Sequence, residues 1–272
     1  MSTLNNQILD EIKPISSSET AEFQENGHIL IRGVLDKDSV EYFREYIVDA
    51  AQRHNEEKRK LEERDTYGKA FLQIMNLWRV DAEVKQFVLA KRFAKIAADL
   101  LGVENVRLYH DQALFKEAGG GPTPWHQDQN YWPLDTSNTI TMWMPLVDIP
   151  NPEMGMLTFA SGSHKQNNVS DIIISDESEQ TFSEYVKEKN FRVTHPDSMH
   201  AGDATFHYGY TMHNAPGNSS DKMRSVMTII YYADGARVTE PKHKWQENDR
   251  QQWLMGKEAG SLADSEINPL LL

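Results

Sequence analysis

Residues 119–133 read GGGPTPWHQDQNYWP and contain His126 and Asp128, two ionisable side chains separated by one residue. Side chains at positions i and i+2 of a β-strand point to the same face, so both could bind one metal ion. Pro124 and Pro133 flank the pair. Because proline lacks a backbone N–H, it is confined to sheet edges and bulges. The stretch therefore predicts a metal site at the accessible rim of a β-structure.

A third metal ligand is expected downstream, where residues 206–217 read FHYGYTMHNAPG. We predict that a strand ends at His213 and that a turn follows it. His213 is the preferred ligand, and His207 is its rival, which could instead form a buried hydrogen bond. Two histidines and one carboxylate form the facial triad of non-haem iron(II) oxygenases, which leaves open positions on the metal.

Arg224 lies eleven residues after His213, beyond the turn-forming sequence PGNSS at 216–220. Such a turn would fold Arg224 back beside His213 on a neighbouring strand. A guanidinium can bind a carboxylate through two parallel hydrogen bonds, which a lysine cannot reproduce. We therefore predict that Arg224 binds the distal carboxylate of 2-oxoglutarate, while the other end of that molecule chelates iron(II).

The rest of the chain predicts a mainly β protein with flanking helices. Short apolar segments alternate with Gly, Pro, Asn and Ser clusters over 106–233, which is typical of a barrel or sandwich. A strand is predicted within 23–34, and apolar residues at helical spacing predict helices at 39–63 and 81–101. We expect these N-terminal helices to pack on the outside of the sheet.

Residues 1–272 are expected to form a single domain with three appendages. Residues 1–20 are polar and predict a short helix or a loose arm. Residues 171–190 are also polar and predict an insertion that contains a helix at 182–189. The tail at 246–272 is expected to be helical and peripheral.

Composition limits the possible functions. The formal net charge of -13 disfavours nucleic acid and anionic membrane surfaces as partners. The chain has no cysteine, which excludes disulfides, thiolate nucleophiles, iron–sulfur clusters and cysteine-based zinc sites. We find neither a signal peptide nor an apolar run near the ~20 residues of a membrane span. A cytoplasmic protein that acts on a small molecule is expected, and the sequence indicates no oligomeric state.

Several of these features together resemble the phytanoyl-CoA dioxygenase family, over roughly residues 20–235. The features are His126-x-Asp128, His213, Arg224, GML at 155–157, SGSH at 161–164 and the strand that begins with NGH at 26–28. The resemblance implies a double-stranded β-helix, or jelly-roll, barrel buttressed by N-terminal helices. It also implies iron(II), 2-oxoglutarate and O2, with ascorbate as a candidate reductant. The expected reaction oxidises a small organic molecule and releases succinate and CO2.

The resemblance also implies a set of pocket residues. Trp143 would line the 2-oxoglutarate pocket, although its apolar surroundings equally fit barrel core. Gln112 and Lys116 would contribute from the strand before the metal ligands, Lys116 towards the substrate. Independently of the resemblance, Tyr131 and Trp132 follow His126-x-Asp128 directly, and we expect them to line the mouth for the substrate or to belong to the core.

One position departs from the family pattern. Members often carry a hydroxyl residue two positions after the distal histidine, where it helps to bind the distal carboxylate. This sequence has Ala215 there. We expect Thr141 or Ser225 to replace the missing contact.

Other functions remain open on the same barrel. A zinc- or manganese-dependent hydrolase or isomerase could use the same ligands, but it would not need an arginine aimed at a dicarboxylate. A non-catalytic relative that binds a ligand is a third candidate. Within the oxygenase hypothesis, hydroxylation, desaturation, epoxidation and ring formation stay open, whereas Asp128 fills the position that a halogenase would leave for chloride.

Overall fold

Residues 8–272 are described by the structure, which is a computed structural model, so part of the predicted arm over 1–20 lies outside them. Helix α1 (Ser17–Asn26) begins at a capping box formed by Ser16 and Glu19. It ends at Gly27, whose φ of 79° belongs to the left-handed region that favours glycine. Strand β1 (His28–Ile31) follows, so the strand predicted within 23–34 is shorter than expected because α1 occupies its first residues.

The helices that follow differ from the prediction in their bounds. They are α2 (Lys37–His54), α3 (Thr66–Ala70), α4 (Ala82–Val88) and α5 (Lys91–Leu101). Helix α2 stops at His54 because the charged run after it offers no apolar face to bury. The single helix predicted at 81–101 is broken between α4 and α5. The break allows the rings of Phe87 and Phe93 to pack 5.0 Å apart, although residues six apart lie on different faces of a continuous helix.

Two antiparallel sheets form the centre of the molecule. Their further strands are β2 (Leu72–Met75), β3 (Val106–Lys116), β4 (Thr123–His126), β5 (Thr139–Pro145), β6 (Thr158–Ser161), β7 (Arg192–Thr194), β8 (Ala204–Tyr208), β9 (His213–Ala215) and β10 (Arg224–Ala233). The major sheet has the order β1-β8-β5-β10-β3-β2, and the minor sheet has the order β4-β9-β6-β7. The predicted jelly-roll with flanking helices is confirmed.

The two faces of the major sheet have different partners. Met142 and Met144 of β5 belong to a hydrophobic cluster shared with α2, α4 and α5. Thr141 and Trp143, which alternate with them, line an internal cavity. This alternation follows from the two-residue period of a strand. The helices therefore cover one face of the sheet and leave the other free for a site.

The two remaining helices differ from the predicted appendages. Helix α6 (Asp176–Glu188) begins earlier than the predicted 182–189, since Ser175 caps its N-terminus. Helix α7 (Lys244–Trp253) is followed by an irregular tail. That tail is not peripheral, because the buried Asn268 side-chain amide donates to the backbone oxygens of β3 at 3.1 and 3.3 Å. Within residues 8–272, no helix is long and apolar enough to cross a membrane.

Candidate metal centre and its cavity

A cavity of about 490 Å³ is lined by residues of both sheets and of helix α7. The major sheet contributes residues from β2, β3, β5, β8 and β10, and the minor sheet contributes residues from β4 and β9. The N-terminal end of α3, residues 173–174 and several residues outside the strands also line it, among them Asp128, Tyr131 and Trp132. Except for Lys116 and Ser225, the predicted site residues line this cavity.

His126, Asp128 and His213 form a cluster that could hold a metal ion, since their ligand atoms lie within 4.8 Å of one another. Oδ1 of Asp128 lies 3.4 Å from Nε2 of His126 and 3.6 Å from Nε2 of His213. The local structure differs from the prediction. Strand β4 ends at His126, Asp128 begins a 3₁₀ turn, and His213 begins β9 rather than ending a strand.

Backbone carbonyls fix the orientation of both imidazoles. Nδ1 of His126 lies 2.8 Å from the oxygen of Pro124, and Nδ1 of His213 lies 2.9 Å from the oxygen of Thr211. A carbonyl oxygen only accepts hydrogen bonds, so Nδ1 carries the proton in each ring. The lone pair of each Nε2 is therefore available beside Asp128, as in histidine ligands whose other nitrogen donates to a carbonyl.

The charges in the cluster also suit a cation. Burial raises the pKa of Asp128, but the surrounding histidines, first His213, bring that pKa well below its ordinary value. Burial and then His126 hold the pKa of His213 well below its ordinary value. The cluster therefore combines an ionised carboxylate with a neutral imidazole, and metal ligands must be deprotonated in this way.

Two neighbours hold the other oxygen of Asp128. The hydroxyl of Thr141 donates to Oδ2 at 2.9 Å, and Nε2 of His207 lies 3.3 Å from the same atom. Thr141 was predicted to bind the cosubstrate, but its proton is engaged with Asp128. Nδ1 of His207 is buried without a hydrogen-bond partner in the described part of the chain. The Nε2–H tautomer of His207 would therefore orient the carboxylate and leave Oδ1 towards His126 and His213.

Arg224 is buried at the start of β10 with only 2% of its surface exposed. Its Nη1 donates to the oxygen of Gly155 at 2.8 Å, and its Nη2 donates to the oxygen of Leu114 at 3.3 Å. Nε has no partner among residues 8–272. The guanidinium carbon lies 5.2 Å from the ring centroid of Trp143. Burial lowers the pKa of Arg224 to about 9, so the group stays charged at neutral pH.

The expected placement of Arg224 beside His213 on neighbouring strands is wrong. Strand β9 belongs to the minor sheet and β10 belongs to the major sheet. Both residues nevertheless line the same cavity. The turn after His213 therefore carries the chain from one sheet to the other.

We predicted that Lys116 contacts the substrate, but Lys116 does not line the cavity. It pairs with Arg224 across β3 and β10 and is fully buried. Its Nζ donates to the oxygen of Gly121 at 2.5 Å and to Oγ1 of Thr123 at 3.3 Å. Burial, and then the charge of Arg224, lower the pKa of Lys116 to about 6. It lies behind Thr123 as a supporting group.

The other predicted residues line the cavity, namely Gln112, Tyr131, Trp132 and Trp143. Oε1 of Gln112 accepts from Nε2 of Gln73 at 3.1 Å, and the hydroxyl of Tyr131 accepts from the backbone N–H of Ile174 at 3.0 Å. Ser225, one expected substitute for the hydroxyl missing at Ala215, is not in the lining. Thr123 is in the lining, and it is paired with Ala215 across β4 and β9.

One face of helix α7 also lines the cavity, and our reading of the sequence missed it. Its residues are Trp245, Asn248, Asp249, Gln252 and Trp253. They follow the spacing i, i+3, i+4, i+7, i+8 that places side chains on one helix face. The signal was present, but the stripe is polar and aromatic rather than apolar. It was therefore not recognised as a face turned inwards.

Comparison with known proteins places the chain among oxygenases. Residues 23–226 match the family model described as phytanoyl-CoA dioxygenase (PhyH). A probable alpha-ketoglutarate-dependent hypophosphite dioxygenase of Stutzerimonas stutzeri is 26% identical over 163 residues, which are 56% of this chain and 54% of that protein. A methylphosphonate hydroxylase of Gimesia maris is 28% identical over 152 residues, 56% of this chain and 55% of that protein. The chain thus spans about half the length of these curated relatives.

Solved structures share the fold over almost the whole chain. The non-haem alpha-ketoglutarate-dependent carbocyclase SnoK from nogalamycin biosynthesis is 25% identical, with a TM-score of 0.77 and coverage of 94% of this chain and 96% of that chain. The epimerase SnoN, solved with Fe3+, alpha-ketoglutarate and nogalamycin RO, is 23% identical, with a TM-score of 0.75 and coverage of 93% and 97%.

Proposed function

The chain belongs to the phytanoyl-CoA dioxygenase family, and we propose that it is an iron(II)- and 2-oxoglutarate-dependent dioxygenase. It would use O2 to oxidise a small organic molecule and would release succinate and CO2. The observation that carries this proposal is one cavity containing both the His126, Asp128 and His213 cluster and the buried cation of Arg224. The names of the relatives support the same class of reaction.

The residues of the cluster fit iron(II). Nε2 of His126, Nε2 of His213 and Oδ1 of Asp128 would hold the metal, which supplies the redox chemistry of oxygen activation when bound. Thr141 and His207 would hold the carboxylate of Asp128 in place through Oδ2. The metal-binding residues would thus be oriented before the metal arrives.

Arg224 fits the distal carboxylate of 2-oxoglutarate. A buried cation without a carboxylate partner is costly, and its Nε has a donor to spare. Trp143, against the guanidinium, would fix the plane of that group and form one wall of the cosubstrate pocket. A dicarboxylate between Arg224 and the metal would pair with both charges.

We assign the hydroxyl contact missing at Ala215 to Thr123, because the two residues are cross-strand partners. Oγ1 of Thr123 accepts from Lys116, so its own proton is free to donate to a carboxylate. Replacing Thr123 by valine should raise the 2-oxoglutarate concentration for half-maximal turnover about 10-fold, as expected for a hydrogen bond to a charged group. Titrating succinate release against 2-oxoglutarate measures this.

The same titration on Ser225→Ala discriminates between the two hydroxyls. We expect the cosubstrate requirement of Ser225→Ala to stay at the wild-type value, since Ser225 lies outside the cavity wall. If Ser225→Ala raised the requirement and Thr123→Val did not, the hydroxyl contact would belong to Ser225 instead.

The proposed roles of His207 and His213 can be distinguished by replacing each histidine with phenylalanine. His207→Phe removes only a group that orients Asp128, so the affinity for iron(II) should fall about 10- to 100-fold, the usual cost of losing an outer-shell partner. His213→Phe removes a ligand, and we expect no iron retained in equilibrium dialysis at the concentration that saturates the wild type. The reverse order of the two effects would exchange the roles of the two histidines.

The function itself is tested by anaerobic addition of iron(II) and then 2-oxoglutarate to the purified protein, followed by visible absorption. We expect a weak charge-transfer band that requires both components. Iron binding without such a band would favour the zinc- or manganese-dependent hydrolase or isomerase. The absence of any metal binding would favour a non-catalytic ligand-binding protein.

We also propose that residues 1–272 form one catalytic domain. The tail after α7 supports this, because Leu271 donates its backbone N–H to the oxygen of Val106 at 3.1 Å and so returns to the major sheet. The cytoplasmic location stays a prediction from the sequence.

A further inference from the structure

One face of helix α7 lines the cavity, and the proposed function gives it no role. We call it the α7 wall, and it consists of Trp245, Asn248, Asp249, Gln252 and Trp253. Asp249 lies at its centre and is 8% exposed. Its Oδ2 accepts from the hydroxyl of Tyr109 at 3.0 Å. Its Oδ1 accepts no hydrogen bond from residues 8–272, and no lysine, arginine or histidine of the described chain forms an ion pair with it. A buried carboxylate without a cation is costly unless a ligand pairs with it.

The surroundings of Asp249 show the same lack of positive charge. Burial raises the pKa of Asp249 to about 8, and only the hydrogen bond from Tyr109 opposes this shift. At neutral pH this carboxyl therefore ionises fully only when a cation pairs with it. His110, which also lines the cavity, is neutral because burial lowers its pKa to about 3. Within the described residues, Arg224 is the only lysine or arginine in the cavity wall. Arg224 is assigned above to the cosubstrate.

The remaining ionisable groups of the wall are therefore carboxyl groups, with no cation besides Arg224 among the described lining residues to pair with them. With iron(II), Asp128, dianionic 2-oxoglutarate and Arg224 in place, the charges at the metal end cancel. Asp65 and Asp249 remain in the lining. An anion such as hypophosphite or methylphosphonate, to which the names of the relatives refer, would meet these carboxylates without a second cation. This wall consequently disfavours oxyanions and favours a positively charged group.

Aromatic rings complete a site of this kind. The rings of Trp253 and His110 lie 5.5 Å apart, and Tyr67, Tyr131 and Trp245 line the same cavity. The faces of tryptophan and tyrosine attract ammonium groups and also pack against apolar carbon. A carboxylate among such rings matches a ligand that joins a cationic nitrogen to an apolar skeleton.

We propose that the α7 wall recognises an amine-bearing organic substrate, whose protonated amino group donates to Oδ1 of Asp249 while its carbon skeleton packs against Trp253 and Tyr131. This proposal rests on the proposed function insofar as the bound amine is the molecule oxidised. Asp249 is then a specificity-determining residue in the same cavity as the proposed metal ligands.

A purely structural role for Asp249 would use only its bond to Tyr109, which ties α7 to β3. Two substitutions separate the roles. Asp249→Asn keeps an oxygen for the Tyr109 hydroxyl but removes the charge. Tyr109→Phe removes the bond and keeps the carboxylate. A structural role would be lost in Tyr109→Phe, whereas amine recognition would be lost in Asp249→Asn.

The experiment compares 2-phenylethylamine, 2-phenylethanol and phenylacetate, which are cationic, neutral and anionic probes of similar size. Equilibrium dialysis measures their binding to the purified full chain, both without metal and with iron(II) and 2-oxoglutarate under anaerobic conditions. We expect the amine to bind at least about 10-fold more tightly than the alcohol, as for a hydrogen bond between charged groups, and phenylacetate to bind most weakly. Asp249→Asn should remove the amine preference, and Tyr109→Phe should retain it.

The proposal is overturned if the alcohol or phenylacetate binds as tightly as the amine, if the amine does not bind, or if Asp249→Asn keeps the preference. These results are independent of the charge-transfer band. Amine preference without the band would leave this recognition site standing and remove the proposed oxygenase function. A charge-transfer band without amine preference would support the proposed oxygenase function and overturn this recognition site.

Discussion

Replacing Asp128 by alanine is expected to abolish iron-dependent succinate release while the protein remains folded. The substitution removes the only carboxylate of the metal cluster and leaves two histidines. Because even outer-shell changes cost 10- to 100-fold in metal affinity, the loss of a ligand should lower the affinity for iron(II) by more than about 100-fold. Iron content after equilibrium dialysis and succinate release measure the two effects.

Asp221→Ala provides the matched control, since Asp221 is an exposed aspartate that does not line the cavity. We expect this control to retain wild-type iron content and turnover. Circular dichroism should show the same strand content for Asp128→Ala as for the wild type, because Asp128 belongs to none of the hydrophobic clusters. Full activity in Asp128→Ala would remove Asp128 from the proposed metal site.

Replacing Arg224 by alanine should raise the 2-oxoglutarate requirement about 10- to 100-fold, because hydrogen bonds to a charged group contribute about 1.5–3 kcal/mol. Iron binding should persist, since the hydrogen bonds of Arg224 within residues 8–272 go to Gly155 and Leu114 and not to the three proposed metal ligands. The substitution also leaves the oxygens of Gly155 and Leu114 without their donor, so the melting temperature should fall. Succinate release titrated against 2-oxoglutarate measures the requirement.

Arg224→Lys separates binding from folding, because a lysine keeps the charge but cannot form two parallel hydrogen bonds. We expect an intermediate requirement for 2-oxoglutarate in this variant. Lys222→Ala, at an exposed position just before β10, should behave as the wild type. An unchanged requirement in both Arg224 variants would show that another group binds the distal carboxylate.

The sequence was sufficient for the fold class and the family because short-range patterns carry them. Alternating apolar segments predict the strands, and the ordered motif from His126 to Arg224 carries the family resemblance. The sequence alone could not predict that His213 and Arg224 lie on strands of different sheets. A turn of suitable composition reverses the chain, but tertiary packing decides which sheet the next strand joins.

Lys116 and Asp249 show two further limits of prediction from the sequence, both of which arise from tertiary packing. Lys116 shares a strand face with Gln112, so its place in the cavity wall was a reasonable expectation. The backbone of Gly155 instead lies against its side chain, where an added Cβ would approach Cδ to 2.7 Å. Asp249 lies in a helix whose composition predicts a solvated surface. Only its packing against Tyr109 reveals that this face is turned inwards.

The position of helix α7 along the chain has a consequence for how such proteins diversify. The residues proposed for the metal and the cosubstrate all lie within residues 23–226, which match the family, and they are His126, Asp128, His213, Arg224, Trp143 and Thr123. Asp249 lies beyond them, on a helix that begins at Lys244. On the proposed assignments, the carboxylate that would select a cationic substrate is thus encoded downstream of the residues that would hold iron and 2-oxoglutarate. A different helix at this position could redirect the barrel to another molecule by recombination, with the proposed metal ligands unchanged.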